Sequence, residues 1–432
     1  MNRIILIGNG FDLAHKIKTS YHDFITDYWK FVIGEINKSI ERNINNLTNV
    51  TFENEEIIIN ILPKKFIIGT EYKGLKEQLD TIRSSIGFKN KFFKELIDKY
   101  YLNNWVEIEN EYYNLLKKTF KNSDVNIGPN RNKIIELNND FNKVKLLLIK
   151  YLYKEFENFK NKPRLDFTNY KEVIGNRIYQ PLNYKDFSEN SLNQIVEQEY
   201  NLLKPEIESL KDNRFDISSI EEKKRNILQS INTNTPKKDI RNLLKSNNPE
   251  KYFNTIPVQT LFLNFNYTDT DFIYNEPNFY NINNNGALTK IKFIRIHGSI
   301  SNIKRNPIIF GYGDELDDDY KQIEKLNRNE YLENIKSINY LETSNYKSLL
   351  EFINSDFFQV YIFGHSCGTS DRTLLNTIFE HDNCATIKVF YHLKNETSDN
   401  FSDVIRNISR NFNDKAKMRD RVVNKNQCEP LF

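Results

Sequence analysis

The chain contains little cysteine and no long hydrophobic run. Its three cysteines, at positions 367, 384 and 428, are too few and too scattered for a disulfide framework or a four-cysteine zinc site. We therefore expect reduced thiols and no bound metal. The chain has no run of about 18 apolar residues, and the apolar segment Ile4–Ile7 is too short for a signal peptide. These features predict a cytoplasmic protein that does not enter the membrane.

An excess of charge of one sign is also missing. Lys and Arg total 61 and Asp and Glu total 58, which gives a formal net charge of +3. This balance does not indicate binding to nucleic acid. Hydrophobic residues make up 39% of the 432 residues, so the chain can bury a core, and its length is enough for about two or three domains.

Glycine is scarce, and its placement is informative. Half of the 14 glycines fall in four short motifs, each of which closes an apolar run. These seven are Gly8, Gly10, Gly298, Gly311, Gly313, Gly364 and Gly368. Glycine allows the backbone to turn sharply or to approach another group closely. Because open α/β sheets bind ligands at the ends of their strands, the motifs predict one nucleotide-sized site.

The apolar runs predict an α/β fold in which a parallel sheet has helices on both faces. After an N-terminal strand, the predicted strands are Gln259–Phe265, Ile291–Ile296, Pro307–Phe310, Phe357–Phe363 and Thr386–Tyr391. Near-continuous apolar strands are typical of a parallel sheet that is covered on both faces. Residues 1–34 and 251–432 would form this split domain.

Residues 35–250 have a different pattern and are predicted to be a large, mainly helical insertion, acting as a lid or as a partner-binding domain. Apolar residues recur at helical spacing in Asn132–Asn161 and Asn190–Lys211, and a short strand is predicted at Ile57–Ile61. Just before the insertion, Ser20 and Asp23 have the spacing of a capping box at the start of a helix.

Three motifs at strand ends carry side chains suited to ligand chemistry. The turn Gly8–Asp12 could approach a phosphate closely, although a plain tight turn has the same pattern. Asn264 and Asn266 offer both donors and acceptors, and either could instead be a structural cap. His297 ends a strand, where an imidazole can serve as a general base.

The motif Gly364–Gly368 has two interpretations. It matches the G-x-S-x-G nucleophile elbow, in which a strained turn exposes a serine, here Ser366. A serine hydrolase would then need a later histidine, and His392 is the best placed. Alternatively, Ser366 and Asp371 belong to a turn that binds a ribose or a phosphate. The sequence favours this nucleotide interpretation.

Together these residues resemble the bacteriophage abortive-infection AbiH family. The resemblance rests on Ile5–His15 followed by Thr19–Phe24, on Phe265–Thr268, on Ile296–Gly298, and on Gly364–Ser366 with Asp371. It covers both ends of the chain and says little about residues 35–250. The order of motifs is similar, more distantly, to the sirtuin-like, Rossmann-like NAD-binding fold.

The second resemblance implies a role for each motif. His297 would be the catalytic base and Asn266 would face the scissile ribose. The residues expected to bind the nucleotide are Gly8, Asn9, Gly10, Phe11, Asp12, Asn264, Tyr267, Gly364, His365, Ser366 and Asp371. The cysteine module that binds zinc in protein deacylases is missing, so the resemblance implies cleavage of NAD and not deacylation.

The resulting hypothesis is an anti-phage effector that binds NAD or a related nucleotide and hydrolyses the N-glycosidic bond. Its expected partners are the nucleotide, a phage-derived trigger or partner protein, and a second copy of the chain. Two alternatives stay open at this point. One is the serine hydrolase that uses Ser366, and the other is a non-catalytic nucleotide sensor.

Overall fold

The computed structural model describes residues 1–42, 50–61, 77, 79–80, 82–103, 107–121, 131–162, 168–210, 217–275 and 289–432. The chain divides into two compact units. The first, called the sheet unit here, comprises Met1–His15, Pro163–Ser299 and Tyr340–Phe432. The second unit comprises Lys16–Lys162 and Ile300–Asn339.

The described residues form strands and helices in both units. The strands are β1 (Asn2–Ile7), β2 (Val50–Glu53), β3 (Ile57–Ile61), β4 (Ile86–Phe88), β5 (Gln259–Asn264), β6 (Lys290–Arg295), β7 (Phe358–Phe363), β8 (Cys384–Phe390), β9 (Leu393–Asn395) and β10 (Ser398–Asp399). The helices are α1 (Asn9–Ala14), α2 (Tyr21–Arg42), α3 (Lys91–Asn103), α4 (Ile108–Lys121), α5 (Arg131–Lys160), α6 (Thr168–Ile178), α7 (Glu189–Leu210), α8 (Glu222–Ser230), α9 (Pro236–Leu244), α10 (Asp318–Glu324), α11 (Lys336–Asn339), α12 (Asn345–Ser355), α13 (Arg372–Phe379), α14 (Phe401–Asn411) and α15 (Lys415–Arg421).

The sheet unit is built on a five-stranded parallel sheet in the order β6-β5-β1-β7-β8. Every residue of β1, β7 and β8 is buried, as expected for parallel strands flanked by helices. The central strand β1 pairs with β5 on one side and with β7 on the other. The chain order of the strands therefore reverses at β1, where such sheets open a crevice at the carboxyl ends.

The α/β class and the parallel sheet are thus confirmed. β5, β6, β7 and β8 correspond to four of the predicted strands. The predicted strand Pro307–Phe310 is wrong, because these residues form no strand. They lie in the second unit, where the ring of Phe310 stacks on that of Phe141 at 4.9 Å. This apolar run is buried by side-chain packing without strand pairing.

The second unit contains helices and a small antiparallel sheet in the order β2-β3-β4. Its strand β3 is the one predicted at Ile57–Ile61, and α5 falls within one residue of its predicted bounds. One half of the predicted capping box at the start of α2 is present, since the Asp23 amide donates to Ser20 Oγ at 3.1 Å, and the Asp23 carboxylate accepts from the Ser20 hydroxyl. These local signals were readable because each involves residues close in sequence.

The predicted domain boundaries at residues 34 and 250 stay a prediction. The sheet unit includes helices α6 to α9, which the sequence pattern had placed in the insertion. Residues of α6 pack with Ile5 and Ile7 of β1 and with Phe363 of β7 in one hydrophobic cluster. Among the described helices, none is long and apolar enough to span a bilayer; the cytoplasmic location remains a prediction.

Candidate functional site

Four loops of the sheet unit meet at the carboxyl edge of the parallel sheet. They follow β1, β5, β6 and β7, and we call them together the strand-end site. Its loops are Gly8–Asp12, which includes the first turn of α1, and Phe265–Asp271, Ile296–Ser299 and Gly364–Asp371. All thirteen residues that the sequence singled out for catalysis or nucleotide binding lie in these loops or, for Asn264, at the end of β5.

The glycines of the first and last loops pack against each other. The Gly10 amide donates to the Gly364 carbonyl at 2.8 Å. Gly364 has a φ of +69°, and a Cβ at this position would lie 2.1 Å from the Phe11 nitrogen. A Cβ on Gly8 would lie 2.5 Å from the Cα of His365. The close approach that the glycines permit is therefore between two turns of the same chain.

This packing limits how the turn Gly8–Asp12 could bind a phosphate. The Gly10 amide is used by Gly364, and the Phe11 amide donates to the Gly8 carbonyl at 2.9 Å. The Phe11 side chain is fully buried and lies in the core beside Phe363, with ring centroids 6.5 Å apart. Asn9 is exposed. The side of this turn at Asn9 therefore faces solvent, and Gly10 is half-buried.

The two asparagines of the β5 loop have different tasks. The Asn264 side chain is fully engaged inside the loop: its Nδ2 donates to the Thr268 carbonyl (2.9 Å) and to Asp271 Oδ1 (3.1 Å), and its Oδ1 accepts the Asn266 amide at 2.8 Å. Asn266 instead bridges two loops, because its Nδ2 donates to the Gly8 carbonyl at 3.0 Å. Asn264 thus holds the loop in shape, and Asn266 ties it to the glycine turn.

His297 is buried at the centre of the site. Its Nδ1 lies 2.9 Å from the Phe265 carbonyl, which can only accept, so Nδ1 carries a proton. Its Nε2 lies 3.2 Å from the hydroxyl of Tyr340 and also 3.2 Å from Asp371 Oδ1. The half-exposed Tyr267 has its ring centroid 6.2 Å from that of His297. Nε2 is therefore the nitrogen of His297 that is available for chemistry.

His365 approaches the same carboxylate from the other side. Its Nδ1 accepts the Cys367 amide at 2.9 Å, so in the neutral ring the proton is on Nε2. That Nε2 lies 3.6 Å from Asp371 Oδ2. Asp371 therefore presents one oxygen to His297 and the other to His365. We call these three residues the His–Asp–His cluster.

The geometry of the β7 loop also bears on the nucleophile elbow. Ser366 is exposed, and its carbonyl accepts from Asn407 Nδ2 at 2.8 Å. The positive φ angles fall on Gly364 (+69°) and on Cys367 (+54°). Burial raises the pKa of the Cys367 thiol well above its usual value. The strained residue next to Ser366 is thus an inert thiol, whereas the elbow requires the strain at the nucleophile itself.

A network of charged side chains connects the loops of the site, in which Asp12 and Asp271 are buried and Arg295 and Asp269 are half-buried. Asp12 Oδ2 accepts from Thr268 Oγ1 at 2.6 Å, and Asp271 Oδ1 lies 3.3 Å from Arg295 Nη2. Burial raises the pKa of Asp271 to about 7, against the opposing effect of the Arg295 charge. Arg295 also pairs with Asp269 at 2.5 Å. The network connects the loops after β1 and β5 to the last residue of β6, Arg295, two residues before His297.

Sequence reasoning missed three residues of this arrangement: Tyr340, Asp271 and Arg295. Arg295 and Asp271 stand next to predicted motifs, and the close spacing of Asp269 and Asp271 after β5 was a usable signal. Tyr340 follows His297 by 43 residues and has no motif of its own. Among the described residues, no group of three or more His, Cys, Asp or Glu side chains could hold a metal ion.

Comparison with known proteins gives one match. The model of the family described as bacteriophage abortive infection AbiH matches residues 4–393, which include the whole strand-end site. The comparison with curated proteins gave no match, and neither did the comparison with solved structures.

Proposed function

Since the chain belongs to the bacteriophage abortive infection AbiH family, we propose that it is an abortive-infection effector that hydrolyses NAD or a related nucleotide at the N-glycosidic bond. The observation that carries this proposal is the convergence of His297, Asn266 and Asp371 at one end of the sheet. Asn266 reaches the Gly8 carbonyl at 3.0 Å, and His297 lies 3.2 Å from Asp371.

The topology supports a nucleotide as the ligand. Numbered by their order in the chain, the five parallel strands lie in the order 3-2-1-4-5. Dinucleotide-binding sheets have this order and bind their ligand across the carboxyl ends, where the order reverses. The strand-end site lies at that position, around the end of β1. The distant resemblance to the sirtuin-like fold agrees with this placement.

The chemistry of the site suits cleavage of a glycosidic bond. Departure of nicotinamide leaves a ribose carbon with oxocarbenium character, and a nearby carboxylate such as Asp371 stabilises that positive charge. Water adds to the carbon and loses a proton, which His297 Nε2 would accept. The electron pair of the broken C–N bond stays on the nicotinamide nitrogen. A positioned acid–base group contributes about 10²–10⁴-fold in rate.

The exposed residues at the edge of the site suggest how the nucleotide lies. Asn9 and Ser366 are exposed, and Tyr267 is half-exposed. Because the inner amides of the glycine turn are bonded within the protein, the diphosphate would contact the outer side of the turn near Asn9. The ribose next to nicotinamide would then approach Asn266 and His297, and the adenosine end would approach Ser366.

Release of nicotinamide from NAD by the purified chain tests the proposal. In the activated state we expect turnover by the wild type, a loss of about 10²–10⁴-fold in His297→Ala, and at least partial activity in Ser366→Ala. Because an abortive-infection effector can require a trigger, each protein is assayed alone and with an extract from phage-infected cells. Binding of NAD is measured in parallel by calorimetry.

Three results would contradict the proposal. Turnover that is unchanged in His297→Ala would remove the assigned base. Hydrolysis of an ester that is lost only in Ser366→Ala would support the serine hydrolase. Tight NAD binding without turnover, with or without the infected extract, would support a nucleotide sensor. Each result is distinct because the wild type and the two variants differ from one another only at His297 or Ser366.

A further inference from the structure

We propose that Tyr340 holds the strand-end site in an inactive state, because its hydroxyl occupies the nitrogen through which His297 would act. Activation would then require Tyr340 to move away from His297. This inference rests on the proposed function only for the consequence on NAD turnover, since the contact itself is independent of the substrate.

The argument begins with the two ring nitrogens of His297. Nδ1 donates to the Phe265 carbonyl at 2.9 Å, so it cannot take a proton. Nε2 faces the Tyr340 hydroxyl at 3.2 Å and Asp371 Oδ1 at 3.2 Å. A water or a ribose hydroxyl that gives its proton to Nε2 has to come within about 2.6–3.2 Å of it. The Tyr340 hydroxyl stands at that distance already.

Burial of both side chains also limits access to His297 Nε2. His297 is 3% exposed and Tyr340 is 3% exposed. The Tyr340 ring is nearly parallel to the His297 ring, with an interplanar angle of 4°, and nearly parallel to Tyr346, with 3° and a centroid distance of 5.8 Å. The phenol ring of Tyr340 thus contacts two other rings, and both it and His297 are buried.

The backbone around Tyr340 is suited to movement of this side chain. Tyr340 begins a 3-10 turn of three residues, Tyr340–Glu342. The next side chain, Leu341, is 79% exposed. Tyr340 is also the first residue after the chain returns to the sheet unit from Ile300–Asn339. A short turn at the surface, with one side chain inward and the next outward, can rotate without unfolding a strand of the sheet.

Chemical modification of His297 provides a test that does not require the substrate. Diethyl pyrocarbonate reacts with accessible, unprotonated imidazole nitrogens, and mass spectrometry locates the product. In the wild type we expect slow reaction of His297 and fast reaction of the exposed His392. In Tyr340→Phe, loss of one hydrogen bond should speed reaction of His297 by about fivefold. Tyr340→Ala, which also removes the ring, should give a larger increase.

Tyr331→Phe is the matched control. Tyr331 is buried, as Tyr340 is, and its hydroxyl has no hydrogen-bond partner among the residues that the structure describes. This variant should leave the modification rate of His297 unchanged. Circular dichroism checks that each variant is folded, and Tyr340→Phe keeps the ring in case Tyr340→Ala does not fold.

NAD turnover of the same variants then distinguishes the block of His297 by Tyr340 from the proposed hydrolysis of NAD. Faster modification of His297 together with higher turnover in Tyr340→Phe supports both the block and the proposed function. Faster modification without turnover in any protein, with or without infected extract, keeps the block and rejects NAD hydrolysis. An unchanged modification rate in both Tyr340 variants overturns the proposal. So does lower turnover in folded Tyr340→Phe, which would make Tyr340 a catalytic residue.

Discussion

Replacing Asp271 with Asn should change how the stability of the protein depends on pH. Asp271 is fully buried, and its pKa is raised from 3.8 to about 7, mainly by burial. The charges of Asp269 and Asp12 act in the same direction, whereas Arg295 and the hydrogen bond from Asn264 oppose them. In the unfolded chain the carboxyl has its ordinary pKa. Between pH 4 and pH 7 the folded state therefore holds a proton that the unfolded state has lost.

Proton linkage determines whether the free energy of unfolding rises or falls with pH. When the folded state binds more protons than the unfolded state, the free energy of unfolding falls as the pH rises. A shift of about three pKa units corresponds to ~4 kcal/mol. The stability contributed by the neutral Asp271 is thus full near pH 4 and is lost by about that amount as the pH rises through 7. Asparagine keeps an acceptor for Asn264 and Arg295 and has no proton to lose in this range.

His15 has the opposite effect in nearly the same pH window. It is fully buried, and burial lowers the pKa of its imidazole from 6.5 to about 4. Its Nδ1 lies 2.6 Å from the Phe11 carbonyl and its Nε2 lies 2.6 Å from the Tyr274 hydroxyl, which suits a neutral ring. Between pH 4 and 6.5 the unfolded state binds the extra proton, so stability rises with pH by ~3 kcal/mol.

In the wild type the opposite effects of Asp271 and His15 on the free energy of unfolding largely cancel. The Asp271→Asn variant removes the first effect and leaves the second. Urea unfolding, followed by circular dichroism at several pH values from 4 to 7.5, gives the free energy of unfolding for each protein. We expect the difference, variant minus wild type, to increase by ~4 kcal/mol from pH 4 to 7. Asp382→Asn makes the same charge change on a side chain that is 94% exposed, and its difference should stay flat. A flat difference for Asp271→Asn would refute the raised pKa.

Two further predictions concern packing in each unit. Gly364→Ala should unfold more easily, because a positive φ costs about 1–2 kcal/mol in a residue with a Cβ and this Cβ would lie 2.1 Å from the Phe11 nitrogen. Gly34→Ala should instead stabilise the protein by about 0.5–1 kcal/mol, because a Cβ at this position in helix α2 meets nothing within 4 Å. Thermal unfolding of both variants checks this contrast. Lys336→Met should destabilise the second unit by about 3–5 kcal/mol, because it removes the buried ammonium that lies 2.9 Å from the carboxylate of Glu109 and so breaks a buried ion pair. The double variant Lys336→Met with Glu109→Leu should recover most of that loss, and no recovery in urea unfolding would contradict the assignment.

The sheet could be predicted from the sequence because its signals are local. β7 and β8 are continuous apolar runs bounded by polar or turn residues, and such runs are typical of buried parallel strands. Pro307–Phe310 has the same local pattern but forms no strand. Four apolar residues reveal burial and not strand pairing, and here Phe310 stacks on the ring of Phe141. A pattern of this length cannot distinguish the two outcomes.

The candidate site could be predicted in part. Convergence of His297, Asn266 and the glycine turn follows from the rule that carboxyl ends of parallel strands share one edge. The contacts of Tyr340 and the raised pKa of Asp271 could not be predicted, because both depend on residues distant in sequence and on burial. The role of Gly364 could not be predicted either, since a glycine indicates that another group approaches the backbone closely but does not identify that group.

Because the turns at Gly8–Asp12 and at Gly364 pack closely, two substitutions can distinguish the structural framework of the site from its catalytic chemistry. The Gly10 amide binds the Gly364 carbonyl, and Asn266 Nδ2 binds the Gly8 carbonyl, so the loops after β1, β5 and β7 are tied together through backbone groups. A change at Gly364 would displace these loops together, whereas His297→Ala removes one ring and leaves these backbone contacts in place. If the site is catalytic, Gly364→Ala should therefore reduce nucleotide binding and turnover together, and His297→Ala should reduce turnover while binding persists.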